Sequence, residues 1–274
     1  MGRHPLKALI DGDIIIYQAL GVTSVDFDGE LVPDIQEATK AFDKIVCDWA
    51  DRSKAESYSV CISSDTNFRK AITPTYKASR GPKPPGFQDI KDYALRTYQP
   101  IIYEGLEADD VMGILLTREP GNIAVSIDKD MKTVPGLHYN PKSGQAFQIN
   151  EDEANLNWMR QVLMGDVIDG YTGIPKVGPK KAEKLLHTPA PVPVLWRVVL
   201  DAYAKAELDP KYAVATARLA YILRDGDYNN GEVQWTDPVP CEQEGLPPEY
   251  RRDVQTSRRP LAPRSGSEND ERGD

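Results

Sequence analysis

The stretch Leu6-Lys7-Ala8-Leu9-Ile10-Asp11-Gly12-Asp13 decides the reading of the chain. A short apolar run that ends abruptly in acid and glycine reads as a buried strand delivering a carboxylate to a sheet edge. The same grammar recurs twice. Ser57 to Ser63, carrying Tyr58, Val60 and Ile62, leads to Asp65, and Asn122 to Ile127 leads to Asp128 and Asp130. Between these runs the spacing turns helical: Ile35, Ala38, Phe42, Ile45, Val46 and Trp49 within Asp34 to Arg52, and Val111, Ile114 and Leu115 within Glu107 to Arg118. A shorter strand is predicted at Ile101 to Tyr103. Strands alternating with helices, joined by connections long enough for crossovers, predict an α/β fold with a parallel sheet.

The chain has 274 residues, enough for one large domain or two small ones. No apolar run approaches the ~18 residues a membrane span needs, and Met1 to Lys7 shows no cleavable signal pattern. Cys47, Cys61 and Cys241 are far apart and odd in number, which excludes a disulfide scaffold or a CxxC zinc site and fits a reducing cytoplasm. The net charge is -9, from 33 Lys+Arg against 42 Asp+Glu. Taken alone, that sign opposes nucleic-acid binding.

The acids are not spread evenly. In a parallel sheet every strand's carboxyl end points to one edge, so Asp11, Asp65, Asp128 and Asp130 converge there. Glu107-Ala108-Asp109-Asp110 sits at a helix start, and Gly165-Asp166-Val167-Ile168-Asp169 adds two more carboxylates. A lone Asp at a strand end is most often a helix cap or turn former, and Asp13 is left without a role. Nine acids converging are another matter. Two charges ~4 Å apart repel by roughly 4 kcal/mol at an effective dielectric of about 20. Such a group needs cations, and oxygen ligands without His or Cys select Mg²⁺ or Mn²⁺. Without these nine, acids and bases balance at 33 each.

Two segments are basic. Arg69, Lys70, Lys77, Arg80, Lys83, Lys91 and Arg96 face only Asp89 and Asp92, with Phe68, Tyr76, Phe87, Tyr93 and Tyr98 interleaved. Cations for phosphates and aromatic faces for bases make a single-strand-binding composition; the plainer reading is a solvated loop. The Gly81-Pro82-Lys83-Pro84-Pro85-Gly86 centre forbids one continuous helix. In Gly173-Ile174-Pro175-Lys176-Val177-Gly178-Pro179-Lys180-Lys181-Ala182-Glu183-Lys184, the glycines allow close backbone approach and Pro179 suits a first helical turn. Backbone N–H groups at that helix start, with Lys180, Lys181 and Lys184, could grip a duplex phosphodiester without reading sequence. After about residue 150 the pattern is helical, and from Asp237 it loses periodicity.

Taken in order, Asp11-Gly12-Asp13, Tyr76-Lys77-Ala78-Ser79-Arg80, Glu107-Ala108-Asp109-Asp110, Ser126-Ile127-Asp128-Lys129-Asp130 and Gly165-Asp166 through Asp169 to Ala182 resemble the motifs of the 5′→3′ exonuclease/flap endonuclease family, most closely its stand-alone bacteriophage members. The resemblance covers roughly residues 6–225. It implies a PIN-like parallel sheet core with a helical arch, followed by a helical, SAM-fold-like region with a helix-three-turn-helix. The implied divisions are 1–150 for the core with the arch at about 66–99, 151–236 for the helical region with the turn at about 165–187, and 237–274 for a partly disordered tail.

The resemblance assigns Asp11, Asp65, Glu107, Asp109, Asp110, Asp128, Asp130, Asp166 and Asp169 to two Mg²⁺ ions, with Mn²⁺ as a substitute. It makes Lys77, Arg80, Asp109 and Asp128 catalytic. It places Arg69, Lys70, Tyr76, Lys77, Arg80, Gly173, Lys176, Gly178, Lys180 and Lys181 on DNA, with a K⁺ ion at the turn. Gly170 and Lys181 depart from its pattern. The implied activity is Mg²⁺-dependent 5′→3′ exodeoxyribonuclease action on duplex DNA ends, with 5′-phosphate products. Flap cleavage, RNA-primer removal from RNA/DNA hybrids and a place in phage DNA replication and recombination come with it. A replication-protein partner would dock on the tail; no membrane is involved. The alternatives are a PIN-type endoribonuclease and a non-catalytic DNA-structure-binding protein.

Overall fold

The computed structural model describes residues 5–27, 30–242 and Tyr250. Its first strand, β1 (Lys7–Asp11), is buried on both faces, as a central parallel strand must be. It runs straight into α1 (Gly12–Thr23), whose N-terminus Asp11 caps by accepting a hydrogen bond from the Ile14 N–H at 3.2 Å. At Gly12 a β-carbon would stand 2.6 Å from Val60 Cγ1, so only glycine allows this close passage. A hairpin, β2 (Ser24–Phe27) with β3 (Glu30–Pro33), leads to α2 (Ile35–Ser53) and β4 (Ser57–Cys61). Then come α3 (Arg69–Ile72), α4 (Phe87–Tyr98), α5 (Ala108–Arg118) and β5 (Asn122–Val125). β6 (Gly136–Asn140) and β7 (Gln145–Ile149) complete a sheet of order β4-β1-β5-β6-β7. All pairs are parallel except β6 with β7.

The sheet buries alternate side chains on opposite faces. Ala8, Ile10, Val60, Ile123 and Val125 meet α1, α2 and α4 through Ile16, Phe42, Trp49 and Ile90. Leu9, Cys61 and Ala124 meet α5 through Val111, Met112 and Leu115, with Ile222 and Leu223 beyond. The remaining helices, α6 (Glu151–Met164), α7 (Pro179–Leu185), α8 (Val192–Lys205) and α9 (Pro210–Ala220), surround their own core of Trp158, Trp196 and Tyr203. A two-residue hairpin, β8 (Gly165–Asp166) with β9 (Tyr171–Thr172), follows α6, and β10 (Tyr228–Asn229) pairs β11 (Glu232–Val233) near the end. No helix of the described residues is long and apolar enough to cross a membrane.

Several expectations change. Ile101 makes a single bridge to Cys61 and no strand extends to Tyr103. The segment expected as an arch is mostly a strap along the core: α4 sinks Phe87, Ile90 and Ala94 into the core, and the stretch 73–86 between α3 and α4 lacks helix. Cys241 hydrogen-bonds its N–H to the Pro193 carbonyl at 2.9 Å and Tyr250 is buried, so the helical core holds both positions of the expected tail. Residues 243–249 and 251–274 of that tail lie outside the described residues.

Asp110 and Arg69 are the clearest corrections. Expected at the ions and at DNA, they are 0% and 3% exposed and bind each other. The guanidinium forks onto the carboxylate at 2.7 and 2.8 Å, and it also donates to the carbonyls of Leu219 at 3.0 Å and Tyr221 at 2.6 Å. Asp110 accepts the N–H of Leu223 at 3.2 Å and, as part of a capping box, that of Glu107 at 3.2 Å. The pair therefore ties α3, α5 and the end of α9 together. Removing one partner strands a buried charge at a cost of about 3–5 kcal/mol. Asp110→Ala should lose that much stability in urea unfolding, and Asp110→Leu with Arg69→Met should recover most of it. An Asp110→Ala protein as stable as the parent would refute the assignment.

Candidate active site

The carboxyl ends of β1, β4 and β5 open onto one cleft, and the segments after them carry the acids. Asp11 ends β1 and is 2% exposed. One of its oxygens caps α1; the other accepts the Ser126 hydroxyl at 2.9 Å. Ser126 stands just past β5 and accepts the Asp128 N–H at 3.0 Å, while Asp128 accepts the Asp130 N–H at 2.8 Å. This relay joins the ends of two adjacent strands. Asp109 enters from the first turn of α5, with Glu107 at its N-cap.

Electrostatics divides the acids into two groups. Burial, then repulsion from Asp13, pushes the Asp11 carboxyl up to about 7, with Asp128 adding to it. Burial followed by Asp11 and Asp128 pushes Asp109 well above the usual carboxylate range. Burial and Asp128 raise Asp130 to about 6. These groups share one surplus of negative charge. Glu107 behaves oppositely. Burial would raise it, but Arg69 and Lys77, with hydrogen bonds from Lys77 and Tyr76, outweigh that and hold it at about 2.

The strap supplies those cations. Lys77 donates to Glu107 and stands 3.7 Å from Asp169; Arg80 donates to Asp169. Tyr76 is 3% exposed, donates its hydroxyl to Glu107 at 2.7 Å and stacks on Tyr171 at 6.4 Å between centroids. Its ring is a buried prop, not the exposed DNA contact expected of it. The strap's root is bonded to the β8–β9 hairpin that carries Asp166 and Asp169. Lys77 N–H donates to the Asp169 carbonyl at 2.7 Å, and the Thr75 hydroxyl donates to the Gly170 carbonyl at 3.2 Å. Gly170 sits at φ +79°, and a β-carbon there would lie 2.2 Å from the Thr75 carbonyl oxygen. Its departure from the family pattern thus has a steric cause: two backbones meet where a side chain would stand.

Seven of the nine expected acids reach the cleft region as a group; Asp110 and Asp65 do not join them. Asp65 is on the rim, where Lys91 donates to it at 2.7 Å and holds its carboxyl below the ordinary value. Lys70 is exposed at the cleft mouth. Lys129, absent from the expectations, stands 3.9 Å from Asp166, and its charge opposes the rise of Asp130. Ser126 was missed as well, because a serine after a strand carries no signal until its acceptor is known. In the basic turn, Lys176, Lys180 and Lys181 are exposed around the start of α7, Gly178 is its N-cap and Pro179 its first residue. Gly173 lies against α6, where a β-carbon would be 2.4 Å from the Leu163 carbonyl oxygen.

The donor set is all oxygen, and the acids around Asp11 and Asp109 repel one another, so divalent cations fit it chemically. Among the described residues no three of these carboxylates close to chelating range; Lys77 and Arg80 hold two of the seven. The raised Asp11 has a thermodynamic consequence. Its carboxyl binds a proton more tightly folded, at about 7, than at the ordinary 3.8. Its contribution to stability is therefore whole at low pH and is lost as pH rises through 7. In EDTA the thermal midpoint should fall between about pH 4 and 7, Asp11→Asn should flatten the fall, and added Mg²⁺ should reverse it. A midpoint that rises over that interval by the action of Asp11 would contradict the charge surplus.

Comparison with known proteins agrees with this geometry. Residues 7–141 match the family described as 5′-3′ exonuclease, N-terminal resolvase-like domain. The exonuclease of Escherichia phage T7 is 25% identical over 267 residues, spanning 81% of this chain and 89% of that protein. A flap endonuclease Xni of Shewanella baltica is 28% identical over 176 residues, spanning 58% of this chain and 67% of that protein. Among solved structures, T5 D15 protein co-crystallised with metal ions superposes with a TM-score of 0.56 at 14% identity, covering 79% of this chain and 90% of that one. The T5 5′-exonuclease with zinc bound gives 0.55 at 16% identity, covering 79% and 86%. At these identities the structures speak for the fold. Residues 7–141 match the 5′-3′ exonuclease N-terminal domain, and with the likeness to the phage exonucleases over most of its length this makes the chain a 5′→3′ exonuclease-type hydrolase.

Proposed function

We propose that the protein is a Mg²⁺-dependent 5′→3′ exodeoxyribonuclease that degrades duplex DNA from its ends, with flap cleavage and removal of RNA from RNA/DNA hybrids as related activities. The observation that carries this reading is the shared negative surplus of Asp11 at the end of β1, Asp128 just past the adjacent β5 and Asp109 in the first turn of α5. Asp11, Glu107, Asp109, Asp128 and Asp130 would hold one divalent ion, and Asp166 with Asp169 the second. Such ions supply Lewis acidity and lower the pKa of water, turning it into a nucleophile at neutral pH. No histidine lines the cleft among the described residues, and His138 is buried against the Val134 carbonyl.

The chain's own groups supply the rest. Lys77 and Arg80, already at the acids, are placed to meet a phosphodiester and to stabilise charge developing in the transition state. Lys176, Lys180 and Lys181 grip the duplex backbone beyond the cleft, which makes binding salt-sensitive and indifferent to base sequence; a K⁺ ion at this turn belongs to the same reading. Lys129, beside Asp166 and lowering the Asp130 carboxyl, offsets part of the acids' repulsion. In-line attack of water at phosphorus, with the 3′ oxygen departing as a hydroxyl, would leave the phosphate on the 5′ side of the product.

The decisive experiment follows cleavage of a 5′-labelled duplex, a flap and an RNA/DNA hybrid, with single-stranded RNA as the control, across a Mg²⁺ titration. Asp109→Ala or Asp128→Ala should lose cleavage by ~10³-fold or more while the variants stay folded and bind DNA in Ca²⁺. Lys77→Ala should slow turnover by ~10²-fold with ion binding intact. Full turnover in either Asp variant would remove the ion assignment. Cleavage confined to single-stranded RNA would make the protein a ribonuclease, and binding without cleavage a structural DNA binder.

A further inference from the structure

Asp13 has no place in the reading above, yet it is half-buried inside the cleft. Its carboxylate accepts both donors of Ser63: the backbone N–H at 3.3 and 3.4 Å, and the hydroxyl. Ser63 lies just beyond β4. Having given its proton to Asp13, the same hydroxyl oxygen accepts the Ala108 N–H at 2.9 Å. Ala108 is the first residue of α5, and its N–H is one of the four that a helix start leaves without an internal partner. The Ser63 carbonyl in turn accepts Lys91 Nζ at 3.2 Å, and Lys91, 5% exposed in α4, reaches on to Asp65. Ser63 is therefore the knot where α1, β4, α4 and α5 are tied.

The arrangement parallels that of Ser126. Each serine stands past a strand end, gives its hydroxyl proton to an acid of the Asp11–Asp13 pair, and accepts an N–H from an acid-bearing segment. What Ser126 does for Asp128, Ser63 does for the first turn of α5. That turn carries Glu107 behind Ala108 and Asp109 after it.

We propose that Ser63, oriented by Asp13, is a positioning residue that fixes the start of α5 so that Glu107 and Asp109 meet a divalent ion. The proposal rests on the ion-dependent reading above. It assigns Asp13 to orientation and not to ion ligation. An outer hydrogen-bond partner of this kind changes ion affinity by roughly 10- to 100-fold when removed.

The test compares the full chain with Ser63→Ala, Ser63→Thr and Asp13→Asn, using Mn²⁺ calorimetry beside the Mg²⁺ dependence of cleavage and a thermal melt in EDTA. Ser63→Ala should weaken Mn²⁺ binding and raise the Mg²⁺ half-saturation point by about tenfold, with turnover at saturating Mg²⁺ changed less than threefold. Ser63→Thr keeps the hydroxyl and should match the parent. Asp13→Asn keeps an acceptor for the Ser63 hydroxyl and should shift Mn²⁺ affinity no more than threefold. Asp13→Asn weakening Mn²⁺ as much as Ser63→Ala would make Asp13 a ligand and overturn the proposal. So would a Ser63→Ala protein with parental Mn²⁺ affinity. If Ser63→Ala fails to fold, Asp13→Asn and Ser63→Thr decide by the same criteria. A parent chain that binds no Mn²⁺ and cleaves nothing fails on the ion-dependent reading itself, a result these variants do not produce.

Discussion

Repulsion between carboxylates at one edge of a parallel sheet is the constraint around which the molecule is arranged. Parallel pairing of β4, β1 and β5 leaves no choice about where their ends go. Asp11, Asp128 and Asp130 meet there with Asp109 from α5, and burial followed by repulsion from neighbouring acids raises the proton affinity of Asp11, Asp109 and Asp130. The fold answers this repulsion with three kinds of positive or donating group: serine hydroxyls behind the strand ends, the Lys77–Arg80 strap in front, and Lys129 beside Asp166.

The same chemistry appears in the interior in a different role. Arg69 and Asp110 are a fully satisfied pair sealed from water, and together they clamp the sheet's α5 face to the helical part of the chain. Two adjacent acids, Asp109 and Asp110, thus point to opposite fates on one helix turn. Asp109 looks into the cleft and Asp110 into the core, because successive residues on a helix are about 100° apart. The packing of α5 against Leu9 and Ala124 decides which is which.

The fold was legible where pattern follows from burial. Apolar runs at 7–10, 58–62 and 122–127 became strands, and the spacing of Ile35 to Trp49 became α2. β7 was not read, because Gln145, Ala146 and Gln148 face solvent along the sheet edge and carry no apolar signature; β6, buried at His138 and Tyr139, was not read because Gly136-Leu137-His138-Tyr139-Asn140 is too short and mixed to show an apolar run. At the site, residue type was legible and direction was not. Arg69 sits among surface-like basic residues in the sequence, and only the approach of α9 explains its burial. Asp65 looks equivalent to Asp11 until Lys91, 26 positions later, takes hold of it. Tyr76 reads as a stacking platform for bases, but Tyr171 already covers its face.

The contact at Gly170 bears on how the two walls of the cleft are held together. Backbone touches backbone between Thr75 and the β8–β9 hairpin, and Lys77 is joined to Asp169 through main chain as well as side chain. The strap's root and the acid-bearing hairpin form one mechanical unit, so the distance between the phosphate-seeking cations and the second set of acids is built in before any strand of nucleic acid arrives.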